Sequence, residues 1–143
     1  MVNKIGAGRL VVVTGAGSGI GRATAAAFAA TGATVVAADI DGAAAEKTAA
    51  LCAERGASGQ AAQCDVTDAA AVAALAERTG PVDVLVNNAG VGMTGRFADM
   101  TLDDWRWIRS VNLDGVVHAC AAFGPGMIAR RSGAGPAGPS AAT

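Results

Sequence analysis

Residues Val11–Ala23 read VVVTGAGSGIGRA, an apolar, β-branched run that stops at a cluster of glycines and resumes with helix-forming residues. A strand that ends in bare backbone and opens directly into a helix leaves N–H groups and the positive end of the helix dipole facing whatever lies above. That arrangement suits a phosphate. The spacing narrows the choice. The simplest dinucleotide fingerprint, G-x-G-x-x-G, would need glycine at position 20, which is Ile20, and the Gly-Lys-Ser/Thr of a nucleoside-triphosphate loop is absent. What stands there is Thr14-Gly15, three residues, then Gly19-Ile20-Gly21.

Outward from this turn, apolar β-branched runs alternate with alanine-rich stretches of helical character. The pattern predicts repeated βα units and a parallel sheet covered on both faces. Strands are expected at Leu10–Val13, Thr34–Ala38, Gln60–Cys64 and Val82–Val86. Helices are expected from Gly19 to Ala30, capped by Gly32, from Gly42 to Arg55, ending at Gly56, and from behind Asp68 to the Gly80-Pro81 pair. A fourth should start near Thr101 in TLDDW, where a capping Thr precedes acidic residues. A long helix is expected from about Leu113 to Arg130, interrupted near Gly124-Pro125-Gly126.

With 143 residues the chain is the size of one domain, and neither an internal repeat nor a second domain is visible. Residues 1–131 form the expected folded unit, while 132–143, SGAGPAGPSAAT, hold only Ser, Gly, Ala, Pro and Thr and predict a disordered tail. A formal net charge of -1 argues against nucleic acid bound through bulk charge. The chain has no apolar run of bilayer length and no signal-peptide pattern, so no membrane and a cytosolic location are expected. Cys52, Cys64 and Cys120 suit neither a disulfide framework nor paired metal ligands and read as small apolar fillers.

Asp39 closes the second predicted strand in VVAADID, 18 residues past Gly21. A carboxylate there can accept hydrogen bonds from both ribose hydroxyls of an adenosine and repels a 2′-phosphate, which favours NAD over NADP. Methyltransferases that bind S-adenosylmethionine also use a glycine turn followed by an acid, so they stand as the rival reading. Trp105 and Trp107 are two apart and cannot share a helical face. Trp105 is expected on the core and Trp107 partly exposed. His118, in an alanine-rich helix, reads as a bystander.

Further motifs separate the rivals. TGAGSGIG, CDV at Cys64–Val66, DVLVNNAG at Asp83–Gly90 and DDWRWIRSVNLDGV at Asp103–Val116 stand in order, and with them the chain resembles the short-chain dehydrogenase/reductase family over roughly residues 8–130. The resemblance implies a Rossmann-like, doubly wound α/β sheet in the order 3-2-1-4, incomplete at four strands. It implies NAD as cofactor, with Gly15, Ser18, Gly19, Ile20 and Gly21 at the pyrophosphate and Thr14 bracing the turn. Asp39 becomes the ribose-selecting acid. Asp65 and Val66 become adenine contacts, and Asn88, Ala89 and Gly90 pass near the cofactor ribose while Asn87 stabilises the sheet. Asn112 matches the family's catalytic asparagine, which breaks a helix locally and holds a water.

The family transfers a hydride between nicotinamide and an alcohol or carbonyl carbon, with a Ser and a Tyr-x-x-x-Lys handling the proton. This chain has no tyrosine, and its lysines are Lys4 and Lys47. The expectation is a cofactor-binding half without turnover, its last residues out of frame or its gene model cut short. The resemblance implies association partly through the long helix and the one after it, which this sequence does not show, so native homo-oligomers are not expected, and the strand Val82–Val86 would be an open apolar edge that invites aggregation. The alternative function is a non-catalytic nucleotide-binding or partner-pairing fragment.

Overall fold

The computed structural model describes residues 6–130, so the expected tail at 132–143 lies outside the described residues. Four parallel strands, β1 (Leu10–Thr14), β2 (Thr34–Asp39), β3 (Gly59–Gln63) and β4 (Val84–Val86), lie in the order β3-β2-β1-β4. Five helices accompany them: α1 (Gly19–Ala30), α2 (Gly42–Glu54), α3 (Ala69–Thr79), α4 (Leu102–Arg109) and α5 (Gly115–Ala129). This is the Rossmann-like α/β sheet in the order expected from the sequence.

The apolar run at β1 is continuous because the strand is buried on both faces, and successive side chains enter different cores. Val11 and Val13 pack with Ala25 and Ala29 of α1, Val35 and Ala37 of β2, and Cys52 of α2. Val12 enters the opposite core with Val36, Val72 and Leu75 of α3 and Ala119 and Phe123 of α5. Register follows the pattern, with Val12 opposite Val36 on one side and Leu85 on the other. Small residues on the inner face of α1 (Gly21, Ala25, Ala26, Ala29) let it lie close to the sheet.

From β1 the chain winds outward to β3, then returns to place β4 on the other side of β1. The strand order therefore reverses at β1, and a crevice opens above the carboxyl ends of β1 and β4, where doubly wound sheets bind ligands. Among the described residues, β3 and β4 are the two edges of the four-stranded sheet.

Three expectations need correction here. The helix is not interrupted at Gly124-Pro125-Gly126: α5 runs through Pro125 to Ala129. Proline removes one N–H and crowds the preceding turn, but Phe123 and Ala119 anchor α5 against α3, and the glycine neighbours bring no side chains of their own. Trp105 is not in the core. It is 41% exposed and its ring meets Phe97, which lies in a 3-10 turn (Phe97–Asp99), at a centroid distance of 5.8 Å. Trp105 lies in the exposed half of α4, a helix with no buried residue. Of the three cysteines, Cys52 and Cys64 are buried as expected, but Cys120 is exposed.

Candidate functional site

The crevice is a cleft of about 480 Å³ whose floor is the glycine turn and whose walls are the loops after β2, β3 and β4. Gly15 has a positive φ of 62°, and a Cβ there would stand 2.7 Å from the Ala89 Cα. A Cβ on Gly21 would fall 2.1 Å from the Gly15 carbonyl oxygen. These two glycines let the turn fold tightly against its neighbours. Gly19, at φ 48°, is different: nothing lies within 4 Å of where its Cβ would be, and it lines the cleft with Ser18 and Ile20.

Hydrogen bonds join the turn to the segment after β4. The buried Thr14 Oγ1 accepts from the backbone N–H groups of Asn88 and Ala89, each at 3.1 Å. The Asn88 side-chain amide donates to the carbonyls of Thr14 (3.0 Å) and Gly15 (3.1 Å). Asn88 thus ties the segment after β4 to the turn, while Asn87 is the one expected to stabilise the sheet. Asn87 instead directs its amide to the Cys120 sulfur at 3.5 Å. Alternate residues of an extended segment point to opposite sides, which is why the neighbours part company. Asn88, Ala89 and Gly90 all line the cleft.

The N-terminus of α1 opens onto this floor. Its first N–H groups have no intrahelical acceptor, and Ser18, the N-cap, makes no side-chain cap. Helices α2, α3 and α4 are closed at that end: Asp41 caps α2, Asp68 caps α3, and Thr101 and Asp104 form a reciprocal box on α4. Uncapped donors at a positive helix end fit a phosphate oxygen.

Asp39, at the end of β2, lines the cleft half-buried. Its Oδ2 accepts from Gly17 N–H at 2.8 Å and its Oδ1 from Asp41 N–H at 3.0 Å, leaving further lone pairs on both oxygens. Asp65 and Val66 lie on the wall after β3. Asp65 Oδ1 accepts from the Thr67 N–H and hydroxyl, and the Val66 carbonyl meets His118 Nδ1 at 2.9 Å. His118 is thereby tied to backbone.

Asn112 sits within a π-helical turn, Ser110–Asp114, that joins α4 to α5. Its side chain pairs with both ends of one residue, accepting from Val91 N–H (2.8 Å) and donating to the Val91 carbonyl (2.9 Å). It lies against the outgoing loop, with Gly90 close to its Oδ1, and it is not itself in the cleft wall.

Several contributors went unread in the sequence. Trp107 and Val111, one turn apart on the same helical face, reach the cleft together. Cys64 and Val91 also line it. Burial, with the Asp65 carboxylate beside it, pushes the Cys64 thiol up from 9.0 and favours its neutral form. Arg22 and Thr48 lie behind the turn, bonded to the Gly17 and Ala16 carbonyls. Among the described residues no cluster of three metal-ligating side chains exists, and no helix is long and apolar enough to cross a membrane.

The sequence model of the short chain dehydrogenases matches residues 9–134. The chain is 50% identical over 128 residues to EphD of Mycobacterium tuberculosis, named a probable oxidoreductase, covering 87% of this chain and 22% of EphD. It is 42% identical over 117 residues to meso-2,3-butanediol dehydrogenase of Serratia marcescens, covering 80% of this chain and 46% of the enzyme. Among solved structures, it resembles a short chain dehydrogenase/reductase from Burkholderia phymatum in complex with NAD, with a TM-score of 0.82, 39% identity, 87% of this chain covered and 46% of the other. The chain thus spans about half the length of these last two relatives and less of EphD.

Proposed function

The chain belongs to the short chain dehydrogenase family, and from that premise we propose that it is the NAD(H)-binding part of an oxidoreductase acting on an alcohol or carbonyl substrate. Asp39 carries the choice of nucleotide: it is a carboxylate in the cleft wall, held by Gly17 N–H, with acceptor capacity left for ribose hydroxyls. A 2′-phosphate at that place would meet negative charge without a cation among the described cleft-lining residues.

Each residue has a part in this reading. The first-turn N–H groups of α1, with Ser18, Gly19 and Ile20, hold the pyrophosphate. Thr14 and Asn88 lock the turn against the β4 loop, so that Ala89 and Gly90 stay beside the cofactor ribose. Asp65 and Val66 bound the adenine. Asn112 fixes the Val91 peptide and with it the loop leading away from Gly90. When bound, the nicotinamide supplies the hydride donor or acceptor.

A chain without tyrosine has no phenol to exchange the substrate proton, so this chain alone binds cofactor without turnover. Cytosolic location and a small alcohol or carbonyl partner of the complete enzyme belong to the same proposal.

The test is titration with NADH followed by fluorescence, beside NADPH and S-adenosylmethionine. The reading expects saturable NADH binding, weaker NADPH binding and no effect of the methyl donor. Binding of S-adenosylmethionine in place of NADH would overturn it.

A further inference from the structure

Behind the glycine turn, away from the cleft, lies a second layer of hydrogen bonds. Arg22, in the first turn of α1, reaches back so that its Nη2 donates to the Gly17 carbonyl and its Nε to Thr48 Oγ1 at 3.1 Å. Thr48, on α2, is fully buried. Its single hydroxyl proton faces the Ala16 carbonyl at 2.8 Å, with the Ala44 carbonyl at 3.2 Å as the alternative. Arg22 and Thr48 therefore hold the carbonyls of the two residues that carry the turn from Gly15 to Ser18.

The Gly17 residue is held at both ends, its N–H by Asp39 and its carbonyl by Arg22. A Cβ on Gly17 would stand 2.8 Å from the Asp39 carboxyl carbon, so the carboxylate lies flat against this stretch of backbone. Fixing the backbone there fixes the carboxylate as well.

The position of Arg22 is otherwise unfavourable. A cation in the first turn of a helix faces the positive end of the dipole, and its hydrogen-bond partners here are neutral oxygens. A guanidinium serves the two acceptors from two separate nitrogens held in one plane, whereas the three donors of an ammonium share a single nitrogen.

We propose that Arg22 and Thr48 are positioning residues for the nucleotide site: by clamping the Ala16 and Gly17 carbonyls they hold the turn, and through Gly17 the Asp39 carboxylate, in the arrangement that selects NADH over NADPH. This inference rests on the NAD(H) reading of the cleft. Neither residue touches the cleft, so both act through the backbone between them.

The experiment is parallel titration of the full chain and its R22M, R22K, T48V and T48S variants with NADH and NADPH, with a thermal melt of each. R22M, R22K and T48V should weaken NADH binding by about tenfold, roughly 1.4 kcal/mol, and weaken NADPH binding less, so that the preference between them narrows. T48S keeps the hydroxyl and should bind like the wild type. T48V keeps the volume of a fully buried side chain and answers the question if R22M does not fold.

If R22K binds NADH as tightly as wild type, charge alone suffices and the clamp is overturned. It is equally overturned if the variants melt earlier yet keep both NADH affinity and the NADH-to-NADPH ratio, since that is a purely structural role. A wild-type chain that fails to bind NADH overturns the functional reading itself, and is told apart by failing before any variant is compared.

Discussion

At Asp39 one carboxylate serves the fold and the site at once, holding Gly17 N–H at 2.8 Å and Asp41 N–H at 3.0 Å while facing the cleft. Substituting Asp39→Asn keeps the size but removes the charge and turns one oxygen into a donor. We expect NADH affinity to fall by about tenfold, in keeping with the loss of charge-assisted hydrogen bonds, and NADPH binding to be unchanged or improved; paired titrations measure both. Trp107 offers a second readout, because its ring is half exposed in the cleft wall. NADH should quench its emission, and W107F should remove most of that signal, leaving Trp105 as a silent reference outside the cleft. The glycines and Asp39 were legible in the sequence because a strand-turn-helix corner is a local pattern. Arg22 and Thr48 were not, because 26 residues separate them and only the packing of α1 beside α2 brings them together. Asn87 and Asn88 were legible as a pair, but the hydrogen bonds of Asn88 to the glycine turn were not, since no sequence pattern says which of two neighbours faces the turn.

At the scale of elements, α4 and α5 form one path through the π-helical turn at Ser110–Asp114. The Thr101 N–H, and with it the Thr101 hydroxyl, bonds the Asp104 carboxylate and lowers its pKa below 3.8. A depressed carboxyl contributes stability above its ordinary pKa, and that contribution is lost as pH falls through the lower folded value. Acid should therefore fray the start of α4 before the rest of the fold, and proton-resolved titration of Asp104 in a T101A variant should move back toward 3.8. Pro125 makes the opposite kind of test. Inside an exposed stretch of α5 it lacks an N–H for the Ala121 carbonyl, and proline in a helix interior costs about 3 kcal/mol. P125A should stabilise the chain by roughly 1–3 kcal/mol in denaturant unfolding. The sequence pointed to a break there because the local rule is sound; the burial of Ala119 and Phe123 against α3 outweighs it.

The whole molecule is a sheet between two cores, and a buried thiol sits in each: Cys52 with the α1–α2 face and Cys64 with the α3–α5 face. Burial raises both thiols above 9.0. Above that pH the unfolded chain releases protons that the folded chain retains, so stability is intact below 9.0 and declines as pH rises toward the folded values. A C52A/C64A variant should show a flatter decline in alkaline thermal melts. Ligand linkage works across the same two cores, because the cleft lining includes Cys64 of one core and the start of α1, which packs on the other. A nucleotide held there can bind only when both cores are assembled. At a concentration one hundred times its dissociation constant, NADH should add about 2.7 kcal/mol of stability, a rise of roughly 5–15 °C in melting temperature for a chain of this size. The same addition to a variant with Gly21→Val, whose side chain would drive into the Gly15 carbonyl, should give no rise. A melting temperature that climbs equally in both would mean that the nucleotide binds outside the cleft, because the turn that shapes its floor would then make no difference.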